Sequence, residues 1–303
     1  TSGTTGRPKG AVISHRNMFM ASVNMAINLD YVWSDIFLIV LPMFHIGALA
    51  PATVNVHKGL STIMMKSFDP EGMFRVIEEE KVTAFLAVPS MLTFMLAVPG
   101  KEKYDLSTVR WVTSGASPVP VSLIEEYTRL GINIQQVYGL TEAAGPVSVL
   151  RPEDAIRKIG SCGNPFFHMD VKIVDDRDNQ LPVGEQGELI TRGESVMKGY
   201  WNLPEATAEA IKNGWLHTGD IAKMDEEGYF YVTDRKKDMI ISGGENVYPA
   251  EIENVLYTHP KILEVAVIGI PSKEWGESPM AIVVPKKGET LTGQEVIDFC
   301  NGK

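Results

Sequence analysis

Residues 1–10, TSGTTGRPKG, run straight into the apolar triplet Ala11-Val12-Ile13. Gly3 and Gly6 admit backbone angles closed to other residues, so the loop can turn its N–H groups inward. A concave row of N–H groups is an anion cradle. Thr1, Ser2, Thr4 and Thr5 add hydroxyl donors, and Lys9 adds a positive charge. That set suits the phosphates of a nucleotide. The Walker A pattern is excluded, because Lys9 is followed by Gly10 and not by Ser or Thr. A flexible surface segment is the competing reading. A linker, however, has no use for Pro8-Lys9-Gly10 leading into a strand-like run.

The 303 residues can bury a sizeable core and allow two domains. With 44% hydrophobic and 22% charged residues the composition is that of an ordinary globular chain. The net charge of −10, without a basic stretch beyond Arg235-Lys236-Lys237, argues against a nucleic-acid partner. Acidic ligands must therefore be held by local groups, not by a global field. Two distant cysteines, Cys162 and Cys300, give neither metal spacing nor a disulfide framework, which fits a reducing compartment such as the cytoplasm. The longest apolar run, Ile36 to Phe44, is broken by Pro42 and is too short to span a bilayer. The start inside a loop, without Met, reads as a fragment.

Downstream, short apolar strands alternate with amphipathic helices. Ser14 is placed to cap a helix reaching about Leu29. Ile36 to Leu41 reads as a buried strand, and Asp69-Pro70 opens a helix to about Glu80. Val82 to Val88 is a strand, Pro89 to Val98 a helix, Val109 to Thr113 a strand, Val121 to Leu130 a helix and Ile132 to Val137 a strand. This alternation predicts an α/β fold with a mainly parallel sheet covered by helices. Ligands of such sheets sit at the carboxyl ends of the strands. From about Gly160 to Gly228 the texture turns to short strands and Gly/Asp/Asn/Pro turns, a small β-rich subdomain. The tail, with a helix from Tyr248 and strands over Glu264 to Ile270 and Met280 to Val284, reads as a small α+β unit.

Two strand ends carry loops with chemistry. QQVYGLTEAAG places Tyr138, Gly139, Thr141 and Glu142 within five residues. Tyr138 could stack on a purine, Gly139 lets the backbone approach a ligand, and Thr141 could bond a phosphate. Glu142 is a hard oxygen ligand suited to Mg²⁺ shared with phosphates. The alternative is a strand-to-helix turn capped by Thr141. Ser114-Gly115-Ala116 ends the preceding strand. His45, in LPMFHIGAL, is either a packed core histidine or a pocket residue. Asp220, after Thr218-Gly219, projects from a tight turn or closes an Asx-turn on its own backbone. Asp234 to Asp238 alternates charges, usually a solvated face. Ser242-Gly243-Gly244 offers a hairpin turn or a side-chain-free surface.

Taken in order, TSGTTGRPKG, QQVYGLTEAAG, GELITRGESVMKGYW, GWLHTGDI and SGGENVYPAEIE resemble the signature blocks of the adenylate-forming superfamily. That superfamily holds the acyl-CoA synthetases, firefly luciferase and peptide-synthetase adenylation domains. The resemblance implies an AMP-binding large domain over 1–236, its N-terminal part missing and its β-rich subdomain at about 160–236. It implies a truncated C-terminal domain over 237–303. It assigns nucleotide contacts to residues Thr1 to Gly6, Lys9, Gly115, Ala116, Tyr138, Gly139, Thr141, Asp220, Val232 and Arg235. It puts Mg²⁺ on Glu142, the acyl pocket at His45, Ser90 and Gly139, the hinge at Lys237 and CoA contacts at Gly243 and Gly244. Lys9, Thr141, Glu142 and His45 are implied to act in catalysis.

The implied activity is that of an acid–thiol ligase using ATP, Mg²⁺ and CoA. A carboxylic acid, expected to be a fatty acid, becomes an acyl adenylate and then a thioester, and the SGGENVYPAEIE block looks most like those of fatty-acyl and aryl-CoA ligases. Met43, Phe44, Val88 and Met91 hint at an apolar acyl pocket, or belong to plain core. Loading of a carrier protein and nucleotide binding without turnover are the alternatives. The superfamily's C-terminal adenylation lysine has no match here, since Lys286-Lys287 lies in a turn and Lys303 ends the chain. The isolated chain is accordingly expected to self-associate and to make no adenylate.

Overall fold

The computed structural model describes residues 8–117, 119–243 and 245–301. Among them, seven strands build the first sheet: β1 (Ile36–Ile39), β2 (Ser61–Met64), β3 (Ala84–Leu86), β4 (Trp111–Gly115), β5 (Asn133–Leu140), β6 (Gly145–Leu150) and β7 (Asn164–Pro165). Their spatial order is β2-β1-β3-β4-β5-β6-β7. The strands up to β5 are parallel, whereas β6 and β7 are antiparallel additions at one edge.

Residue alternation explains why this sheet is covered on both sides. Successive strand side chains point to opposite faces. Phe37 stands beside Ala84 and Trp111 in one buried cluster, and Leu38 beside Phe85 and Val112 in the other. Helices α1 (His15–Asn28) and α2 (Ile46–Lys58) give Met25, Ala48 and Val54 to the first cluster. Helices α3 (Pro70–Glu80), α4 (Pro89–Leu96) and α5 (Val121–Arg129) give Phe74, Leu92 and Tyr127 to the second. A large apolar side chain taken wholly out of water contributes about 1.5–3 kcal/mol. Both layers are therefore needed, and Phe85→Ala would cost about 3–5 kcal/mol.

Helix starts follow their local chemistry. Ser14 caps α1 reciprocally with Asn17, and the Asn17 amide also donates to the carbonyls of Glu194 and Val196 at 2.8 and 2.7 Å. Asp69 accepts from the Gly72 N–H at 3.1 Å, with Pro70 in the first turn of α3. Helix α2 and strand β2 were not foreseen from sequence. Ala11 forms only an isolated bridge with Tyr200, not a strand end. Thr141 caps no α-helix, because Thr141–Ala143 makes a single 3-10 turn before β6.

A five-stranded sheet follows, from β8 (Asp170–Val174), β9 (Gly187–Arg192), β10 (Ile211–Lys212), β11 (Trp215–Met224) and β12 (Phe230–Arg235). Its order is β10-β11-β9-β8, with β12 beside β11, and α6 (Pro204–Ala210) precedes β10. The last sheet is antiparallel: β13 (Ile240–Ser242), β14 (Glu245–Val247), β15 (Ile262–Ser272) and β16 (Gly276–Pro285), ordered β14-β13-β16-β15. It packs with α7 (Pro249–Tyr257) and α8 (Gly293–Cys300) around Ile240, Leu256, Val267 and Val296.

Two compact units divide the chain: Thr1–Lys172 with Ile190–Thr218 and Met224–Tyr231, and Ile173–Leu189 with Gly219–Lys223 and Val232–Lys303. No helix among the described residues is long and apolar enough to cross a membrane.

Candidate active site

In the first unit the carboxyl ends of β4 and β5 bring two glycines together. A Cβ on Gly115 would lie 2.5 Å from the Val137 carbonyl oxygen, and one on Gly139 would lie 2.3 Å from that of Gly145. Only glycine permits this approach of backbones. The β5–β6 register slips between Tyr138 and Gly139, which re-aims the chain at that point. Ala116 holds φ 70°, a strained value for a residue with a side chain.

These strand ends wall a cavity of about 100 Å³, lined also by His45, Ile46, Leu86 and Val88. His45 caps α2: its Nδ1 accepts from the Gly47 N–H at 2.9 Å. A neutral ring accepting at Nδ1 carries its proton on Nε2. His45 is thus exposed at the cavity wall and is not a core histidine. Of the four apolar residues singled out, Val88 lines this cavity; Met43, Phe44 and Met91 line a second one. Phe44 is 92% exposed, so the plain-core reading fails for it. Ser90 sits exposed on the first turn of α4 and does not line the His45 cavity.

Glu142 lies in the 3-10 turn after β5, and its Oε1 accepts from the Tyr200 hydroxyl at 2.9 Å. Among the described residues no cluster of three or more His, Cys, Asp or Glu side chains could hold a metal. A cation at Glu142 would draw its other oxygens from phosphate and water, the habit of Mg²⁺. Lys9 Nζ stands 4.9 Å from the centre of the Tyr200 ring. Burial and the neighbouring Glu142 charge push the Tyr200 phenol above its ordinary pKa, so it stays a donor. The ring of Tyr138 meets Phe230 edge-on, centroids 5.6 Å apart. Thr1 to Gly6 lie outside the described residues.

In the second unit Asp220 lies within β11, not on a tight turn; the turn-like backbone is that of Gly219, at φ 71°. Asp220 is buried and pairs with Arg235 Nε at 2.6 Å. A buried carboxylate persists only when compensated. Val232 precedes Arg235 on the same strand. Beside them Glu188 accepts from the Gly219 N–H at 3.2 Å and meets Lys236 Nζ at 3.1 Å, with Asp176 at 3.0 Å from that ammonium. Burial lowers the Lys236 pKa, but Asp176 and Glu188 outweigh it and hold the ammonium above the ordinary lysine value. Lys237 is exposed in the turn after β12.

Gly243 turns the β13–β14 hairpin at φ 61°, with Trp275 so close that a Cβ would fall 2.6 Å from its ring. Gly244 and Lys303 lie outside the described residues. Sequence reasoning missed Tyr200, Glu188 and Lys236. The signal for Tyr200 was its seat in the GELITRGESVMKGYW block.

A mainly parallel sheet with glycine-walled loops at its carboxyl edge, and a lysine and a carboxylate nearby, defines an α/β protein with a candidate ligand site at that edge. The chain belongs to the AMP-binding enzymes: that family matches residues 1–201, and the AMP-binding enzyme C-terminal domain matches residues 251–303. It is 44% identical over 298 residues to a feruloyl-CoA synthase of Amycolatopsis, covering 98% of this chain and 61% of that protein. It is 43% identical over 300 residues to a long-chain-fatty-acid–CoA ligase of Mycobacterium tuberculosis, covering 99% and 59%. The structure of the Bacillus subtilis o-succinylbenzoate CoA synthetase with ATP and magnesium superposes with a TM-score of 0.88 at 37% identity, covering 99% and 62%. The chain thus spans about three fifths of the length of these relatives.

Proposed function

We propose that the chain carries the acid- and nucleotide-binding machinery of an AMP-forming acid–thiol ligase. An oxygen of the acid's carboxylate attacks the α-phosphorus of ATP, the α–β phosphoanhydride bond breaks, and pyrophosphate leaves. The thiol sulfur of CoA then attacks the acyl carbon, AMP departs with the bonding pair, and the thiol proton passes to water. Anion meets anion in the first step, so positive charge and N–H dipoles must be supplied. Lys9 and the loop amides supply them. Glu142 would hold Mg²⁺, whose charge neutralises the polyphosphate. The Nε2–H of His45 faces the acid's carboxylate, and Asp220 with Arg235 takes the ribose hydroxyls.

The observation that carries this reading is the convergence of His45, Gly115 and Gly139 on one cavity at the sheet's carboxyl edge. Its apolar walls fit a hydrophobic acid. The related enzymes are named for feruloyl, long-chain fatty and succinylbenzoyl groups, which supports the reaction type and leaves the acid at the level of its class. Transfer to CoA is favoured by those names and by the Gly243 turn. Pyrophosphate release with ATP and a panel of apolar acids, measured on the full-length gene product, tests the first step. Thioester formation on adding CoA tests the second. Binding of ATP without release of pyrophosphate for any acid would overturn the proposal.

A further inference from the structure

One side chain joins the loop lysine to the candidate metal carboxylate. Beyond the loop, residues 10–12 run alongside residues 198–201: Val12 N–H donates to Gly199 O at 2.8 Å, Lys198 N–H to Val12 O at 2.9 Å, and Trp201 N–H to Gly10 O at 2.7 Å. The same strip is tied to the metal turn, since Met197 N–H donates to Glu142 O at 2.7 Å. Tyr200 stands in this strip. Its own N–H donates to Thr207 Oγ1 at 2.8 Å. Gly199 before it holds φ 141°, and a Cβ there would meet Thr207 Cγ2 at 2.5 Å. The backbone of Tyr200 is therefore fixed on both sides. From it the hydroxyl reaches Glu142 Oε1 at 2.9 Å and the ring lies 4.9 Å from Lys9 Nζ.

We propose that Tyr200 is a positioning residue of the polyphosphate site, setting Glu142 and Lys9 relative to one another so that a divalent cation and the ammonium address the same phosphates. The proposal rests on the nucleotide reading of Lys9 and Glu142. A carboxylate held at one oxygen by a donor presents its other oxygen in a single direction, and such outer partners tune metal affinity. The aromatic face restrains the lysine head by a cation–π contact. One residue thus does two separable jobs, the hydroxyl toward Glu142 and the ring toward Lys9.

The test is calorimetry of ATP binding to the full-length gene product, with Mg²⁺ and with chelator. Tyr200→Phe removes the hydroxyl and keeps the ring. It should reduce the tightening of ATP by Mg²⁺ about tenfold and leave metal-free ATP binding within about twofold. Metal-free binding in the same titration reports that the fold is intact. Tyr200→Leu should weaken metal-free ATP binding as well. In a Glu142→Gln background Tyr200→Phe should cause no further loss, because the two act through one contact. If Tyr200→Phe disturbs metal-free binding, Glu142→Asp, which draws the carboxylate away from the hydroxyl, should show the same Mg²⁺ loss. Native Mg²⁺ enhancement in Tyr200→Phe, or additive losses in the double variant, overturns the proposal while the ligase reading stands. Native enhancement in Glu142→Gln overturns the metal reading and this proposal with it.

Discussion

Arg235 Nε lies 2.6 Å from Asp220 Oδ1, and the two ends of this pair see different surroundings. Asp220 is 3% exposed, whereas most of the Arg235 side chain is in solvent. Stripping the partner from a buried charge costs more than stripping it from an exposed one. Arg235→Ala should therefore lower the thermal midpoint further than Asp220→Asn. If these residues grip a ribose, Asp220→Ala should weaken AMP binding by about 1–3 kcal/mol. Calorimetry with AMP decides, and an unchanged affinity would remove Asp220 from the nucleotide site.

If the cavity lined by His45 admits the acid, as proposed, its wall offers a separate handle on acid choice. Val88 lines it together with His45 and Gly139. Val88→Phe should fill space used by the acid and not by ATP. The expected result is a fall in kcat/KM of about tenfold or more for bulky acids, with the KM for ATP unchanged. An equal loss for small and bulky acids would place Val88 outside the acyl path.

A charge network gives the first unit a dependence on pH. Lys158 reaches Asp225 at 2.7 Å and Glu227 at 2.6 Å, and Arg157 joins Glu227. Burial works against the Asp225 carboxylate, but the Lys158 bond and the backbone N–H groups of Tyr229 and Glu227 outweigh it and hold its pKa below the ordinary aspartate value. Bonds that the Lys158 ammonium donates to Asp225 and Glu227 raise its pKa to about 12. A depressed carboxylate stabilises above its unfolded pKa, ~3.9, and loses that contribution as pH falls through the folded value. The thermal midpoint of the native chain should exceed that of Lys158→Met near neutrality, and the gap should shrink below about pH 4. A gap constant across that range would show that titration of these carboxylates does not govern the network's contribution.

If the Gly243 turn serves CoA, as proposed, a substitution there distinguishes the two chemical steps. A methyl group there faces both a positive φ and the Trp275 ring. Gly243→Ala should slow thioester formation from a supplied acyl adenylate while pyrophosphate exchange continues. Equal slowing of both steps would assign Gly243 a purely structural part.

What the sequence made legible was what local chemistry decides. Asp69-Pro70 announced α3, Ser14 announced α1, and the apolar runs marked β1, β3, β4 and β5. Helix α2 stayed hidden for a physical reason. It contains Gly47, Pro51, Thr53 and two valines, poor helix formers, and its cap is an imidazole nitrogen. It forms because Ala48, Ala50 and Val54 bury against the sheet, a long-range effect. The antiparallel edge of β6 and β7 was equally invisible, since pairing direction leaves no mark in a six-residue apolar strand. At the strand ends, Gly115 and Gly139 were legible because a glycine there lets two backbones approach where a Cβ would collide. Tyr200 was not, because its importance comes from a contact with Glu142, 58 residues away in sequence.

His45 couples two properties that are ordinarily adjusted one at a time. Its Nδ1 closes the first turn of α2, and the same ring forms part of the cavity wall. Replacing it with alanine therefore frays a helix and reshapes a binding surface in one stroke, so loss of activity in that variant cannot be read as loss of chemistry. Asparagine, whose carbonyl can inherit the capping bond, removes the ring alone. Any redesign of this cavity must treat residue 45 as part of the helix and part of the wall at once, and must restore the cap before reshaping the space.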